Sequence, residues 1–504
     1  MADILAGITS ILDPTILILM FVGVFMGIVV GAIPGLSVTM GVALFLPITF
    51  GMEPIAGLAL LCALYIGGTS GGLISAILLK MPGTASSVAT TFDGYPMAMK
   101  GEAGKAMGVG IVASFLGGLV SYIVLMLLAP SIAKFALRFG PYEYFSIGLF
   151  SLTMIVSLAS GSMVKGIISG MIGFILAFVG IAPITSFTRF TFGVMDLNSG
   201  FSILPMLIGL FAVAEILTNL EEKFKKVDLR THDFKIKGFG FTRKDVKGQG
   251  FNFLVSTAIG TGVGILPGLG GSICNIMSYS VCKNSSKYPE KFGTGIVDGI
   301  IASEASNNAS TGGAMVPLLT LGLPGDNTTA LILAGFMIHG ISPGPLLFRN
   351  QGPLVYGVFA ALIVANIMML AIEFLGIRVF IRILSVPKNI LLPIVMAFCV
   401  VGAYANNNRV FDVVCMVGFG ILGYLMKKAG LPTAPTILAF ILCPIVETNL
   451  RRGLMKSQGS FVPFLTSPIS LIFIVIAVVT LALSIRKEIL RAKAAKEARE
   501  TAHA

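Results

Sequence analysis

Residues 15–33 of this 504-residue chain pass without a charged side chain, and so do residues 107–129. Runs of that length match the roughly 20 apolar residues a helix needs to cross the hydrocarbon of a bilayer. Six further stretches approach the same description: 143–159, 200–219, 354–375, 389–404, 410–426 and 469–485. The chain is 55% hydrophobic and only 12% charged, with a mean hydropathy of +0.94. An ordinary globular chain carries about 25% charge, and a soluble fold of this size could not cover its surface with so little. The apolar content excludes disorder. Unbroken runs argue against a transmembrane β-barrel, whose strands alternate over roughly ten residues. The predicted fold class is an all-α polytopic membrane protein.

The net charge of +12 sits in two places. One is the segment 220–250, with Lys223, Lys225, Lys226, Arg230, Lys235, Lys237, Arg243, Lys244 and Lys247. The other is the tail, with Arg486, Lys487, Arg491, Lys493, Lys496 and Arg499. Basic clusters beside apolar runs mark the cytoplasmic side of a membrane, so they are read that way and not as a nucleic-acid site. The six cysteines are scattered through apolar stretches without a C-x-x-C spacing, and they read as small hydrophobes. The first residues hold Asp3 and Asp13 and no basic n-region, so the opening apolar run is expected to stay as a membrane segment.

Between the long runs lie apolar stretches punctuated by glycine and proline: 34–50, 55–83, 164–187, 252–282, 294–345 and 431–447. Here the sequence repeats itself. Gly31-Ala32-Ile33-Pro34-Gly35-Leu36 returns as Gly264-Ile265-Leu266-Pro267-Gly268-Leu269, 233 residues later. Thr69-Ser70-Gly71-Gly72 leads to Met81-Pro82-Gly83, and Ser310-Thr311-Gly312-Gly313 leads to Leu323-Pro324-Gly325. Order and spacing both survive, the mark of an internal repeat with two Pro-Gly breaks in each half.

The expected organisation is a first membrane repeat at 1–219, a cytoplasmic basic loop at 220–250, a second repeat at 251–447, and a final span with a basic tail at 448–504. A non-basic N-terminus outside and a basic loop inside require an odd number of crossings in the first half, which makes the second repeat inverted. Arg451, Arg452 and Lys456 would then fall outside, against the charge rule. Paired helix breaks in inverted halves point to a secondary transporter. Unsatisfied backbone in lipid is costly, so such re-entrant segments persist where they line a cavity. Their N–H ends favour an anion and their carbonyl ends a cation.

Candidate solute and ion ligands cluster at these breaks. Pro34, Gly35, Ser37 and Thr39 accompany the first, and Lys80, Pro82, Gly83, Thr84, Ser86 and Ser87 the second. Pro267, Gly268, Ser272 and Asn275 accompany the third, and Pro324, Gly325, Asp326, Asn327, Thr328 and Thr329 the fourth. Hydroxyls and amides beside exposed backbone can complete a carboxylate or sodium shell. The competing reading is that small residues here serve only close helix packing.

The run from Asp298 to Asn308 is the most polar piece of an apolar region. An intramembrane carboxylate marks function by default. Glu304 is therefore assigned a structural or coupling role, and Asn307 and Asn308 solute or ion contact. Lys80 either draws an anion to the break or snorkels to the interface. Asp93-Gly94-Tyr95-Pro96 reads as a turn with an architectural role.

Enzyme readings lack parts. The histidines are His232 in the basic loop, His503 in the tail, and His339, which reads as a helix-end residue, so no base accompanies the Gly-Ser stretches. No Walker motif occurs.

These residues resemble the tripartite tricarboxylate transporter family, specifically its large membrane subunit of the TctA type. The likeness rests on Pro34-Gly35-Leu36, on Gly71-Gly72 to Pro82-Gly83-Thr84, and on Asp93-Gly94-Tyr95-Pro96. In the second half it rests on Phe292-Gly293-Thr294-Gly295, Glu304 with Asn307-Asn308, Leu321-Gly322-Leu323-Pro324-Gly325, and Gly340 to Pro345.

The resemblance implies the translocating subunit of a solute importer in a bacterial inner membrane. It would work with a small membrane subunit and a periplasmic solute-binding protein, driven by a Na+ or H+ gradient. The solute would be an organic carboxylate, no other cofactor would be needed, and an elevator-like movement against a scaffold fits such repeats. Against the family pattern, Lys80 stands where an uncharged polar residue, often asparagine, is expected. Ser303 stands for proline, Ser306 for alanine and Asp326 for a neutral residue. A stand-alone carboxylate symporter and a non-transporting membrane scaffold are the alternative readings.

Overall fold

The computed structural model describes residues 2–158, 162–221, 240–268, 270–383 and 388–503. Lys223, Lys225, Lys226, Arg230, Lys235 and Lys237 of the basic segment, and Leu269 of the third Pro-Gly motif, lie outside the described residues, as do the tail side chains from Arg491 on.

The chain is built almost wholly of helices. It runs through α1 (Ala2–Ile11), α2 (Pro14–Ala32), α3 (Val38–Phe45), α4 (Pro54–Leu79), α5 (Thr90–Met99) and α6 (Ala103–Ala136). Then come α7 (Pro141–Leu158), α8 (Met163–Ala177) and a two-stranded ribbon pairing Gly180–Ile181 with Thr188–Arg189. Next, α9 (Ile203–Leu207) passes through a π-turn at Ile208–Val213 into α10 (Ala214–Glu221). The second half holds α11 (Gly250–Ile265), α12 (Gly270–Ser285), α13 (Val297–Leu321), α14 (Asn327–Ile338), α15 (Pro345–Asn350) and α16 (Gly352–Ile383). It ends with α17 (Lys388–Asn407), α18 (Val410–Lys428), α19 (Thr433–Lys456), α20 (Val462–Thr466) and α21 (Pro468–His503).

Among the described residues, 8 helices are long and apolar enough to cross a membrane, so this is a multi-pass membrane protein. Two of the eight, Pro54–Leu79 and Thr433–Lys456, fall where the glycines and prolines suggested interruption. The backbone runs unbroken through Gly67, Gly68, Gly71 and Gly72.

Contacts divide the chain into two compact units, each drawn from both halves: residues 1–136 with 207–420, and residues 137–206 with 421–504. In the first, α4 and α13 are buried along nearly their whole length. Helix α2 packs on α4, and α6, α11 and α12 pack on α13, while α16 lies against α1, α2, α4 and α6. Small residues set these distances. A Cβ on Gly27 would stand 2.6 Å from the Leu64 carbonyl oxygen, one on Gly71 2.6 Å from that of Ile28, and one on Gly264 2.5 Å from that of Ser310. Backbones this close gain dispersion along the whole seam, the main attraction between helices in lipid.

Helix α13 is polar yet buried because its hydroxyls turn back on the helix. Ser306 Oγ donates to the Ala302 carbonyl at 2.8 Å and Thr320 Oγ1 to that of Val316 at 2.7 Å. Each such bond removes a donor that lipid or protein would otherwise have to satisfy.

In the second unit, α19 packs on α7 and α8, and α21 on α7. Its polar centre is Glu447, which receives Arg189 at 2.7 and 3.2 Å in a two-pronged pair, and Arg451 at 2.9 Å. The Arg189 guanidinium also stands 5.1 Å from the centre of the Phe178 ring.

Candidate functional site

All the candidate residues lie in the first unit. The chain between α2 and α3 turns at Gly35 (φ 86°), and the chain after α11 turns at Gly268 (φ 85°). A side chain in that left-handed region costs about 1–2 kcal/mol, which explains a glycine at both repeat-related positions. Pro34 and Pro267 precede them. Ser37 then caps α3, its Oγ accepting from the Met40 N–H at 3.0 Å.

The breaks of the two halves meet. Thr39 in the first turn of α3 and Thr328 in the first turn of α14 are buried with their hydroxyls 3.0 Å apart. The Gly268 N–H donates to the Gly325 carbonyl at 2.7 Å. On the first-half side, a Cβ on Gly83 would press on Ser75 Oγ at 2.6 Å and on Gly72 Cα at 3.0 Å. Thr84 sits against Gly72 and bonds Ser86 Oγ at 3.1 Å. Gly325 lies equally close on Ala314, 2.6 Å from Cα to a Cβ built there.

Two asparagines from the candidate set lie deep in the unit and are half-satisfied. Asn307 Nδ2 donates to the Thr69 carbonyl of α4 at 3.3 Å, while its Oδ1 is buried without a hydrogen bond inside the protein. Asn275 Oδ1 accepts from the Ala89 N–H at 2.9 Å, and its Nδ2 is likewise buried and unpaired. In each case the partner fixes which way the amide points. A Cβ on Gly271 would meet Asn307 Oδ1 at 2.8 Å, Ser86 Cβ at 2.9 Å and Ser310 Oγ at 3.1 Å, so these groups from both halves surround one point. Asn308 faces elsewhere: its Nδ2 donates to the Glu304 carbonyl at 3.2 Å on its own helix.

Glu304 is wholly buried and ties three helices together. Thr90 of α5 hydrogen-bonds its Oε1, and Ser114 of α6 donates to its Oε2 at 3.0 Å. Ser303 reinforces the same junction, 3.0 Å from Thr90 Oγ1.

Asp326 is committed to its own helix. It caps α14, accepting from the Thr329 N–H at 2.7 Å and Thr329 Oγ1 at 2.9 Å, and takes the Tyr65 hydroxyl at 2.6 Å. A carboxylate already occupies this helix N-terminus, so the fourth break is not the free N–H end that its Pro-Gly sequence suggested. Asn327 begins the helix beside it.

Lys80 ends α4 in a left-handed cap (φ 56°), the place Gly322 takes at the end of α13 (φ 72°). It is exposed, with Nζ 5.6 Å from the centre of the Tyr95 ring, and Pro82 beside it is exposed too. The left-handed backbone explains why asparagine is expected there, being the favoured alternative to glycine. Lys80→Gly is predicted to stabilise the protein by about 0.5–1 kcal/mol, the relief of strain exceeding glycine's entropy. Thermal unfolding and solute uptake measured together separate the two readings of Lys80. A higher Tm with unchanged uptake leaves it at the interface, and a higher Tm with lost uptake makes it an anion-attracting group.

Asp93 requires a correction. It lies inside helix α5, with Pro96 in the same helix, and not in a turn. Its buried carboxylate is used over a distance: Oδ1 accepts from the N–H groups of Gly293 (3.0 Å), Gly295 (2.8 Å) and Ile296 (3.1 Å), and Oδ2 from the Tyr279 hydroxyl (2.8 Å). Asp-Gly and Pro signal turns when the aspartate serves its own backbone; here it serves another segment.

Sequence reasoning passed over Glu373 of α16. It is wholly buried, and its Oε2 accepts from Ser70 Oγ of α4 at 2.9 Å. A lone acid within the apolar run 354–375 was the available signal. Among the described residues, no three His, Cys, Asp or Glu side chains form a metal-binding group.

Helices long and apolar enough to cross a membrane, around a buried polar centre with glycine turns, define a multi-pass membrane protein with a polar interior. The chain belongs to the tripartite tricarboxylate transporter TctA family, which it matches over residues 17–438. It is 36% identical over 480 residues to a protein of Agrobacterium vitis described as an uncharacterized 52.8 kDa protein in the TAR-I ttuC' 3' region, covering 95% of each chain. A second protein from that organism, described by its place in the TAR-II ttuC' 3' region, is 37% identical over 211 residues, 42% of this chain and 87% of its own. No solved structure matches.

Proposed function

We propose that this chain is the translocating subunit of a binding-protein-dependent secondary transporter, importing an organic carboxylate with a Na+ or H+ gradient. The observation that carries the reading is the meeting of break segments from both halves in one unit, through Thr39 with Thr328 and through Gly271 with Asn307 and Ser86. Around that meeting point lie an unpaired buried donor, Asn275 Nδ2, and an unpaired buried acceptor, Asn307 Oδ1. The donor suits a carboxylate oxygen, and the acceptor suits a cation or a solute hydroxyl. Asp326 already neutralises the N-terminus of α14, so the solute anion goes to the α3 and α12 side of the centre.

Two inverted repeats, 1–219 and 251–447, support alternating access of the broken segments in an elevator-like movement, with 448–504 adding the last span. The matched turns at Gly35 and Gly268, and the matched caps at Lys80 and Gly322, support that symmetry. The N-terminus faces outward and the 220–250 loop and tail face the cytoplasm of a bacterial cell, the chain sitting in the inner membrane. Its partners are a small membrane subunit and a periplasmic solute-binding protein, with membership of a tripartite family in support.

Uptake of a labelled carboxylate panel into proteoliposomes holding this chain and its small subunit tests the proposal. Receptor-dependent, gradient-driven uptake is expected. Uptake independent of the receptor would make the chain a stand-alone symporter, and no uptake of any member by correctly inserted protein would overturn carboxylate transport.

A further inference from the structure

Three of the buried carboxylates of the first unit are held to very different degrees. Asp93 receives three backbone N–H groups and a phenol. Glu304 has a hydroxyl on each oxygen. Glu373 has Ser70 on Oε2 alone, and its Oε1 is buried without any hydrogen bond inside the protein. It forms no ion pair among the described residues.

A charged oxygen left bare in an apolar interior is among the costliest groups a protein can hold, and a neutral acid costs far less. We propose that Glu373 is a proton-binding site, loaded and unloaded during the transport cycle, which makes H+ a coupling ion. This deepens the transporter reading above and rests on it.

The chemistry needs one proton and one reversible hydroxyl. In the acid form Oε2–H donates to Ser70 Oγ, whose own hydrogen turns to the Ile66 carbonyl one turn earlier in α4, as the Thr69 hydroxyl does to the Tyr65 carbonyl at 2.8 Å. Oε1 is then an unpaired neutral carbonyl. When the proton leaves for water, Ser70 turns back and donates to the carboxylate.

Among the described side chains, those on the helices packed against Glu373 offer no competing charge. Helix α2 carries no titratable residue, α1 has Asp3, which lies against Gly352 at the other end of α16, and α15 has Arg349. On α4, Tyr65 donates to Asp326, and Cys62 is a buried thiol. On α6, Tyr122 bonds Thr311, Lys105 pairs with Asp245, and Lys134 sits in the last turn. On α16 itself, Tyr356 lies more than four turns away, and the side chains of Arg378 and Arg382 lie outside the described residues. A hard metal ion would need about six oxygens, whereas the residues one turn away, Met369, Leu370, Gly376 and Ile377, supply no side-chain oxygen.

The site is also one residue from the solute centre. Ser70 holds Glu373, and the carbonyl of adjacent Thr69 receives Asn307. Movement of α4 that alters one contact alters the other.

Isotope-edited infrared spectra of the purified full chain in lipid test the site without any solute, by a pH titration. A protonated-acid carbonyl band that disappears reversibly at high pH is expected in the wild type and absent in Glu373→Gln. Ser70→Ala, which keeps the acid and removes its hydroxyl partner, is expected to shift that band. A band unchanged by both substitutions, or unresponsive to pH, overturns the proposal.

In proteoliposomes, Glu373→Gln is expected to lose the stimulation by a pH gradient, about tenfold in accumulation, while exchange of labelled for unlabelled carboxylate continues. Retained stimulation, or uptake driven by Na+ alone in the wild type, overturns H+ coupling through Glu373. Should the wild type move no solute, the transporter reading fails while the infrared result still decides whether Glu373 binds a proton.

Discussion

Asp93→Ala is expected to destabilise the protein by about 3 kcal/mol and to lower its folded yield. The substitution strips the acceptor from the N–H groups of Gly293, Gly295 and Ile296, in a partly exposed segment, and from the hydroxyl of the buried Tyr279. These amides lead directly into α13, whose N-cap residue Ile296 has no side chain able to cap it. Asp93 therefore pins the segment that leads into α13, and its charge lies at the positive end of the α13 dipole. The Tyr279 ring it holds packs edge-on to Phe92 at 5.2 Å and to Phe292 at 5.4 Å.

An unsatisfied buried donor costs about 1–3 kcal/mol. The Tyr279 hydroxyl bears that cost in full, while the three amides of the partly exposed segment recover part of theirs from water, for a total of about 3 kcal/mol. Whole domains are stable by about 5–15 kcal/mol. Asn at this position keeps one acceptor oxygen and is expected to fall between the two, about 2 kcal/mol below wild type. Folded yield by fluorescence size exclusion and Tm in detergent measure both variants. An alanine variant unfolding within a degree of wild type would show that water replaces the carboxylate, and that Asp93 does not hold the entry to α13.

How far the sequence reaches is seen by comparing residues. Membrane class follows from sparse charge, a property summed over the whole chain that no local detail can reverse. The paired Pro-Gly motifs were legible because left-handed turns accept few residues other than glycine, as at Gly35 and Gly268. The glycines of α4 were ambiguous because the same residue serves a break and a close helix crossing, and only the neighbour decides. Gly71 faces the Ile28 carbonyl, so it belongs to a crossing.

Asp93 misled because its partners lie about 200 residues away, beyond any local turn rule. Thr39 and Thr328, 289 residues apart, were both marked as candidates, but their contact is a fact of tertiary packing. Glu373 escaped because its run was weighed for span-forming apolarity, a measure that averages away the single residue of greatest chemical interest.

Asn307→Ala is expected to separate binding from packing, because the two readings predict different patterns of stability and uptake. If the side chain serves packing alone, truncation removes a buried contact and should destabilise, leaving uptake in the surviving protein intact. Under the binding reading, its Oδ1 is an acceptor with no partner in the protein, so the folded state already bears the cost of burying it. Removing that oxygen relieves the cost, and losing one 3.3 Å bond to the Thr69 carbonyl offsets part of the gain. The expected change in stability is thus within about 1 kcal/mol of zero.

Uptake should fall much further. A hydrogen bond to a charged group contributes about 1.5–3 kcal/mol, or roughly 10- to 100-fold in affinity for the solute or ion. Asn308→Ala is the control, since Asn308 donates to its own helix at the Glu304 carbonyl and should affect stability more than uptake. Binding by isothermal titration and Tm on the same preparations give both axes. Equal losses of affinity in the two variants, or unchanged affinity in Asn307→Ala, would remove Asn307 from the site and shift the search to Asn275, whose unpaired Nδ2 faces the same argument.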